Sequence, residues 1–245
     1  MRIVAISDIH LGRKSSRARK VRSLQPLFEG ADLAVINGDG VDFGWMPSED
    51  AFRWQRELVD SLREVCPRVI WVRGNHDLPV EGPIFHREGD LVFTHGHALF
   101  DVPRGTRTYQ EAFEAVYDVH FRRHSTHHLG GTVANFADRL AGHIVPLKIA
   151  SRWNIGDPGS VDLSLLLRAA GEEVRTVVIG HLHITGILPR KNQTVYITGA
   201  WTGRAPTTAF VHDGGESALL RVVPDGDRFR LGERIPSPPP ILASR

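Results

Sequence analysis

Five short apolar runs, each stopping at a polar cluster, constrain this chain more than any other feature. Residues 2–7 lead to Asp8 and His10, and residues 33–37 lead to Gly38 and Asp39. Residues 69–73 lead to Gly74, Asn75, His76 and Asp77; residues 91–94 to His95, Gly96 and His97; residues 177–180 to His181, Leu182 and His183. Runs this short, rich in Val and Ile and without polar alternation, predict strands buried on both faces. Each delivers polar side chains at its carboxyl end, the edge where open α/β sheets bind ligands.

Helical spacing fills the gaps between the early runs. Residues 18–28 predict one helix. A second is expected over 49–65, where Ala51, Phe52, Trp54, Leu58, Val59 and Leu62 share a face, Ser48 can cap, and Glu49 and Asp50 suit the first turn. Strands alternating with helices predict a layered α/β core. The strand pattern lapses over about 101–171, where helices are expected at 109–123, 133–153 (interrupted at Pro146) and 161–170, forming a helical insertion or cap. Runs at 194–198, 207–212, 217–223 and 229–235, separated by turn residues, predict antiparallel strands completing a second sheet. The expected organisation is one domain over 1–235 and a Pro-rich tail over 236–245.

Composition narrows the function. With 245 residues, 41% hydrophobic and 24% charged, the chain reads as a soluble folded protein. A formal charge of +2 is too small to argue for nucleic acid as partner. The single cysteine, Cys66, excludes an internal disulfide and a cysteine-rich zinc module, and is expected to be a small buried hydrophobe. The N-terminal apolar run reaches charged Asp8 too early for a secretory signal, and no run approaches a membrane span, so a cytoplasmic location is expected, with peripheral attachment at the inner face of the membrane left open.

Thirteen histidines stand out. Asp8 and His10, like His181 and His183, are spaced to project to one side of an extended strand end. With Asp39, Asn75 and His95 they offer seven nitrogen or oxygen groups, about what two adjacent divalent ions require when one carboxylate is shared. The lack of cysteine among them argues against a structural zinc site.

Asp8-x-His10, Gly38-Asp39, Gly74-Asn75-His76-Asp77, His95 and Gly180-His181-x-His183 together resemble the motif set of the calcineurin-like metallophosphoesterases, in order, across residues 8–183. The resemblance implies an α/β four-layer fold: two mixed sheets in a sandwich flanked by helices. It implies one metal held by Asp8, His10, Asp39 and His183 and another by Asp39, Asn75, His95 and His181, with Asp39 bridging. Manganese is the expected metal, with iron or zinc as alternatives. The implied reaction is hydrolysis of a phosphodiester or diphosphate by a hydroxide that the metal pair generates at neutral pH. His76 resembles the family's catalytic histidine, stabilising charge or protonating the leaving oxygen, and Asp77 is expected to orient it. His97 competes with His95 as a ligand, although the family pattern uses the first His of His-Gly-His.

Finer features resemble the branch containing UDP-2,3-diacylglucosamine pyrophosphohydrolase: Ser7–Gly12, Asp42-Phe43 and Trp45 after Gly38-Asp39, the helical segment before His181, and Gly199-Ala200-Trp201. That branch commonly carries arginine in the third place of Gly-Asn-x-Asp, where this chain carries His76. The resemblance implies a small-molecule substrate, a nucleotide diphosphate linked to a sugar or lipid, with apolar insertion residues such as Phe113, Phe121 and Phe136 over the acyl chains. The same residues also suit ordinary helix packing. Arg13, Arg122, Arg123 and His97 are candidate substrate contacts. The rival readings are a phosphodiesterase acting on cyclic nucleotides or nucleic acid, and a non-catalytic scaffold that retains the fold.

Overall fold

A computed structural model describes residues 1–43, 46–77, 81–100, 102–115, 162–203 and 206–236. Three parallel strands, β1 (Ile3–Ile6), β2 (Leu33–Asn37) and β3 (Val69–Val72), form half of one sheet. In the second sheet, β4 (His86–Glu88) pairs antiparallel with β5 (Leu91–Thr94), and β6 (Thr176–Ile179) runs parallel to β5. β7 (Gly186–Pro189) and β8 (Thr194–Ile197) complete that sheet, in the order β4-β5-β6-β8-β7. β9 (Thr208–Asp213), β10 (Glu216–Asp225) and β11 (Arg228–Arg234) extend the first sheet, in the order β11-β10-β9-β1-β2-β3.

The late strands depart from expectation. They do not all complete the second sheet. β8 lies parallel to β6 in the second sheet, while β9 pairs antiparallel with β1 and carries β10 and β11 out from the first. β4 and β7, which periodicity misses, are the two outer strands of their sheet. An edge strand needs no continuous apolar run, and β7 tolerates Pro189 at its end for the same reason.

Period-two alternation explains the layers. Ile3 and Ala5 join Leu33, Val35, Phe93 and Val178 in a core between the sheets. Val4 and Ile6 join Leu24, Leu27, Leu58 and Leu62 in a core under the first helical layer. A strand with an apolar layer on each side has no face to leave polar, hence the uninterrupted runs. Helix α1 (Ser48–Arg63) contributes fully buried Leu58 and Leu62, each contributing about 2 kcal/mol by burial. Its N-cap is Pro47 with no side-chain hydrogen bond, so Ser48 opens the helix rather than capping it. The helix stops two residues short of expectation because Pro67 disfavours helical geometry at Cys66. Over 18–28 a 3₁₀ segment, Val21–Leu27, replaces the expected α-helix, since Pro26 lies inside it and removes a backbone donor.

On the far side of the second sheet, Tyr109, Ala112 and Phe113 from the helical stretch α2 (109–115) pack with Leu165, Leu166 and Ala170 of α3 (Ser164–Ala170) against Val92, Val177 and Ile179. Both described ends of the expected insertion therefore belong to the outer layer of the main core. The result is a helix, sheet, sheet, helix sandwich. Trp45, Arg122, Arg123, Phe121, Phe136 and residues 237–245 lie outside the described residues.

Candidate metal centre

The carboxyl ends of β1, β2 and β3 meet those of β5 and β6 at one edge of the sandwich. Five non-glycine residues have positive φ among the described residues: Asp8 (52°), His10 (50°), Asp39 (54°), His181 (65°) and His183 (54°). All five are expected ligands. Left-handed backbone costs about 1–3 kcal/mol at each such residue, and strain of this kind concentrates at functional sites. Neighbouring backbone holds it in place: Asp8 N–H donates to Gly38 O (3.0 Å), His10 N–H to Asp39 O (2.9 Å) and Trp201 N–H to Asp8 O (3.1 Å).

Two half-sites result. In one, His183 Nε2 lies 3.2 Å from Asp8 Oδ1 and 3.3 Å from His10 Nε2, and His10 Nε2 lies 3.9 Å from Asp39 Oδ2. In the other, Asn75 Oδ1 lies 3.0 Å from both His95 Nε2 and His181 Nδ1, and Asp39 Oδ2 lies 3.2 Å from His95 Nε2. The Asp39 carboxylate thus reaches both. Two glycines make the closeness feasible. A Cβ on Gly180 would stand 2.5 Å from Asp8 Oδ2, and a Cβ on Gly74 would collide with the Asp39 carboxylate.

The donor set fits cations. His95 Nδ1 faces Asn37 O at 3.1 Å and His10 Nδ1 faces Asp42 Oδ2 at 3.2 Å, so each ring is anchored through Nδ1 and turns Nε2 into the pocket. With these rings neutral, nitrogen and oxygen lone pairs confront one another, an arrangement that a positive charge, whether a cation or a proton, satisfies. Groups able to hold an ion include Asp8–His10–His183 and Asp8–Asp39–His95. Burial, and then the Arg13 guanidinium, bring the His10 imidazole down to about 4, which keeps it neutral as a ligand must be. Burial works to lower His95 too, but the Asp39 and Asp8 carboxylates push it up to about 9, so the pocket attracts positive charge.

The carboxylate facing His76 is Asp42, not Asp77. Asp42 Oδ1 lies 3.2 Å from His76 Nδ1, and Asp42 also meets the Arg13 guanidinium. Burial works against a charged imidazole at His76, yet the Asp42 and Asp39 carboxylates raise it. Asp77 instead accepts from the backbone N–H of Asp39 (2.7 Å), Gly40 (3.1 Å) and Gly74 (3.0 Å) and from Trp71 Nε1 (3.0 Å). It ties the loops after β2 and β3 together. Burial, and then the like charge of Asp39, push its carboxyl up to about 7 against the pull of these donors.

Arg13, expected to meet substrate, pairs with Asp42. His97 is buried, its ring 4.5 Å from Phe113 and 5.5 Å from His95, which places it behind the candidate ligand His95 and away from solvent. Sequence reasoning missed the role of Asp42, whose only signal is a second acid in the turn after β2. It also missed Ser7, whose Oγ lies 2.5 Å from Asp8 Oδ2 and 2.6 Å from Thr198 Oγ1.

A two-sheet sandwich with histidines and carboxylates gathered at one edge defines a class of metal-dependent phosphoesterase folds. The chain belongs to the calcineurin-like phosphoesterase family, whose sequence profile matches residues 1–185. Among curated proteins no relative matches it. Among solved structures, a single mutant of Vps29 from Entamoeba histolytica is similar at 14% identity and a TM-score of 0.50, covering 96% of this chain and 98% of that one. A conserved uncharacterized protein from Streptococcus pneumoniae, described as a predicted phosphoesterase, is similar at 16% identity and a TM-score of 0.45, covering 94% and 95%. A cold-active protein-tyrosine phosphatase of a Shewanella species gives 15% identity and 0.47, covering 95% and 80%. The Vps29 likeness bears on fold alone.

Proposed function

We propose that the protein is a phosphohydrolase with two divalent cations, manganese by preference, that cleaves a phosphodiester or diphosphate. The observation carrying this reading is the convergence of six nitrogen and oxygen groups around a seventh, the Asp39 carboxylate, which lies within 3.9 Å of His10 and 3.2 Å of His95. Asp8, His10, Asp39 and His183 would hold one ion, and Asp39, Asn75, His95 and His181 the other. When bound, such a pair supplies Lewis acidity to phosphoryl oxygens and acidifies water enough to furnish a nucleophile near neutral pH. A scaffold role has less support, because a protein using this edge only for contacts has no need to maintain five strained ligand residues.

The side chains divide the remaining work. Asp42 fixes the His76 ring through Nδ1 and sustains its positive charge. His76 then serves the leaving oxygen. With a diphosphate the departing phosphate is already a stable anion, so charge suffices; with an alkyl ester a proton must be delivered. A nucleotide diphosphate carrying a sugar or lipid is the substrate we favour, and cyclic nucleotides or nucleic acid are the alternatives.

Purified protein supplied with manganese should hydrolyse bis-p-nitrophenyl phosphate, and Asp39→Asn should abolish this together with metal uptake. Turnover of UDP-2,3-diacylglucosamine over cyclic nucleotides and DNA supports the favoured substrate, and the reverse ranking overturns it. No hydrolysis of any phosphoester by metal-loaded protein would overturn the enzyme reading.

A further inference from the structure

A buried amide side chain reaches across the interface between the sheets. Asn37, the last residue of β2, is fully buried. Its Nδ2 donates to Thr94 O at 2.9 Å and to Val178 O at 3.1 Å, carbonyls on the adjacent strands β5 and β6 of the opposite sheet. Its own backbone oxygen faces His95 Nδ1 at 3.1 Å. One residue therefore grips Thr94 through its side chain and the next residue, His95, through its main chain. Asn37 Oδ1 is buried without a hydrogen-bond partner among the described residues, which costs desolvation that an apolar side chain would avoid. Core stability alone does not account for an amide here.

Its location bears unequally on the half-sites. The pocket formed by Asp39, Asn75, His95 and His181 draws two groups from each sheet, and both second-sheet groups follow the strands that Asn37 holds. The pocket formed by Asp8, His10, Asp39 and His183 draws three of its four from the first sheet. It also has a tie of its own, Ser7 Oγ to Thr198 Oγ1 at 2.6 Å, beside Asp8. Separating the sheets slightly at Asn37 moves two groups of one pocket against the other two, whereas in the second pocket it moves His183 alone against three groups that the Ser7–Thr198 tie helps to brace.

We infer that Asn37 is a positioning residue that sets the spacing between the sheets at this edge, and thereby governs occupancy of the Asn75–His95–His181 half-site selectively. This rests on the ligand roles proposed above. The test is calorimetric titration of Mn²⁺ into the metal-free full chain, comparing wild type, Asn37→Leu and, as control, Leu33→Ala, which thins the same inter-sheet core at the opposite end of β2. In N37L one equivalent should bind within about threefold of wild type and the other about 10–100-fold more weakly, the range set by loss of a group that orients ligands. L33A should lose thermal stability and keep both equivalents. Wild-type affinities in N37L, or equal weakening in L33A, overturn the inference. Should N37L fail to fold, Asn37→Ser, whose short hydroxyl cannot span both carbonyls, carries the same expectation.

A metal-free readout separates this inference from the proposed function. The wild-type His95 Nδ1 proton should be visible by NMR as a slowly exchanging, hydrogen-bonded resonance, and lost to water exchange in the Asn37 variants. Its persistence there overturns the role of Asn37. Failure of the wild type to bind two Mn²⁺ overturns the dinuclear reading, and this spectrum still judges Asn37.

Discussion

Asp42 and His76 meet at 3.2 Å, carboxylate Oδ1 to imidazole Nδ1, although 33 residues separate them in the chain. The contact joins the loop after β2 to the loop after β3 and sets both the direction of the ring and the charge it carries. Asp42→Asn keeps the shape and removes the charge that raises His76. A raised value means that the cationic ring persists to higher pH, so activity depending on it is lost as pH rises through that value. In D42N this alkaline limb should move to lower pH, and kcat on an alkyl diester should fall about 100-fold, the usual scale for loss of general acid catalysis. A pH profile of kcat measures both. An aryl ester, with its better leaving group, should lose less; equal losses on the two substrates would remove the proton-donor role.

Gly180 abuts Asp8 so closely that an added methyl cannot be accommodated without displacing the carboxylate or Ser7. Gly180→Ala should therefore lower metal affinity by at least about tenfold. The loss should appear as reduced manganese content after dialysis while the far-ultraviolet circular dichroism is unchanged. Full metal content in G180A would show that the edge yields more easily than the geometry implies.

Cys66 is 2% exposed, and its Sγ lies 3.2 Å from Arg68 O. Burial raises the thiol above its ordinary value, leaving little thiolate to react. Iodoacetamide at pH 8 should label native protein far more slowly than protein in urea, as read by intact mass. Equal rates would place the thiol at the surface.

Arg68 pairs with Glu88 through two bonds, at 2.8 and 3.2 Å, linking the residue before β3 to the edge strand β4. Hydrogen bonding from Arg68 is the main cause holding the Glu88 carboxyl below 4.5. A depressed carboxyl stabilises the fold above its unfolded value and ceases to do so as pH falls through the folded value. Arg68→Met should cost up to about 1 kcal/mol at pH 7, since the pair is partly exposed. The deficit in urea unfolding should shrink as pH drops below 4.5. A deficit independent of pH would assign it to packing instead.

How much was legible follows from the range of each signal. Val and Ile runs ending in Asp, Asn or His encode a buried strand and what stands at its end within a few residues, so β1, β2, β3, β5 and β6 and all seven ligand candidates could be read directly. The orienter of His76 could not. Asp77 is adjacent in sequence, but its carboxylate turns inward to the backbone N–H groups of Asp39, Gly40 and Gly74, while Asp42 arrives from another loop.

The sequence by itself determined that strands with apolar faces would carry nitrogen and oxygen side chains to their carboxyl ends, because side-chain alternation and strand length are local properties. Only the tertiary structure decided that β8 would join the second sheet while β9 to β11 extended the first, and that Asn37 would reach across to Thr94 and Val178. Those outcomes depend on which surfaces meet when two sheets close over a common core, and no stretch of chain contains both surfaces.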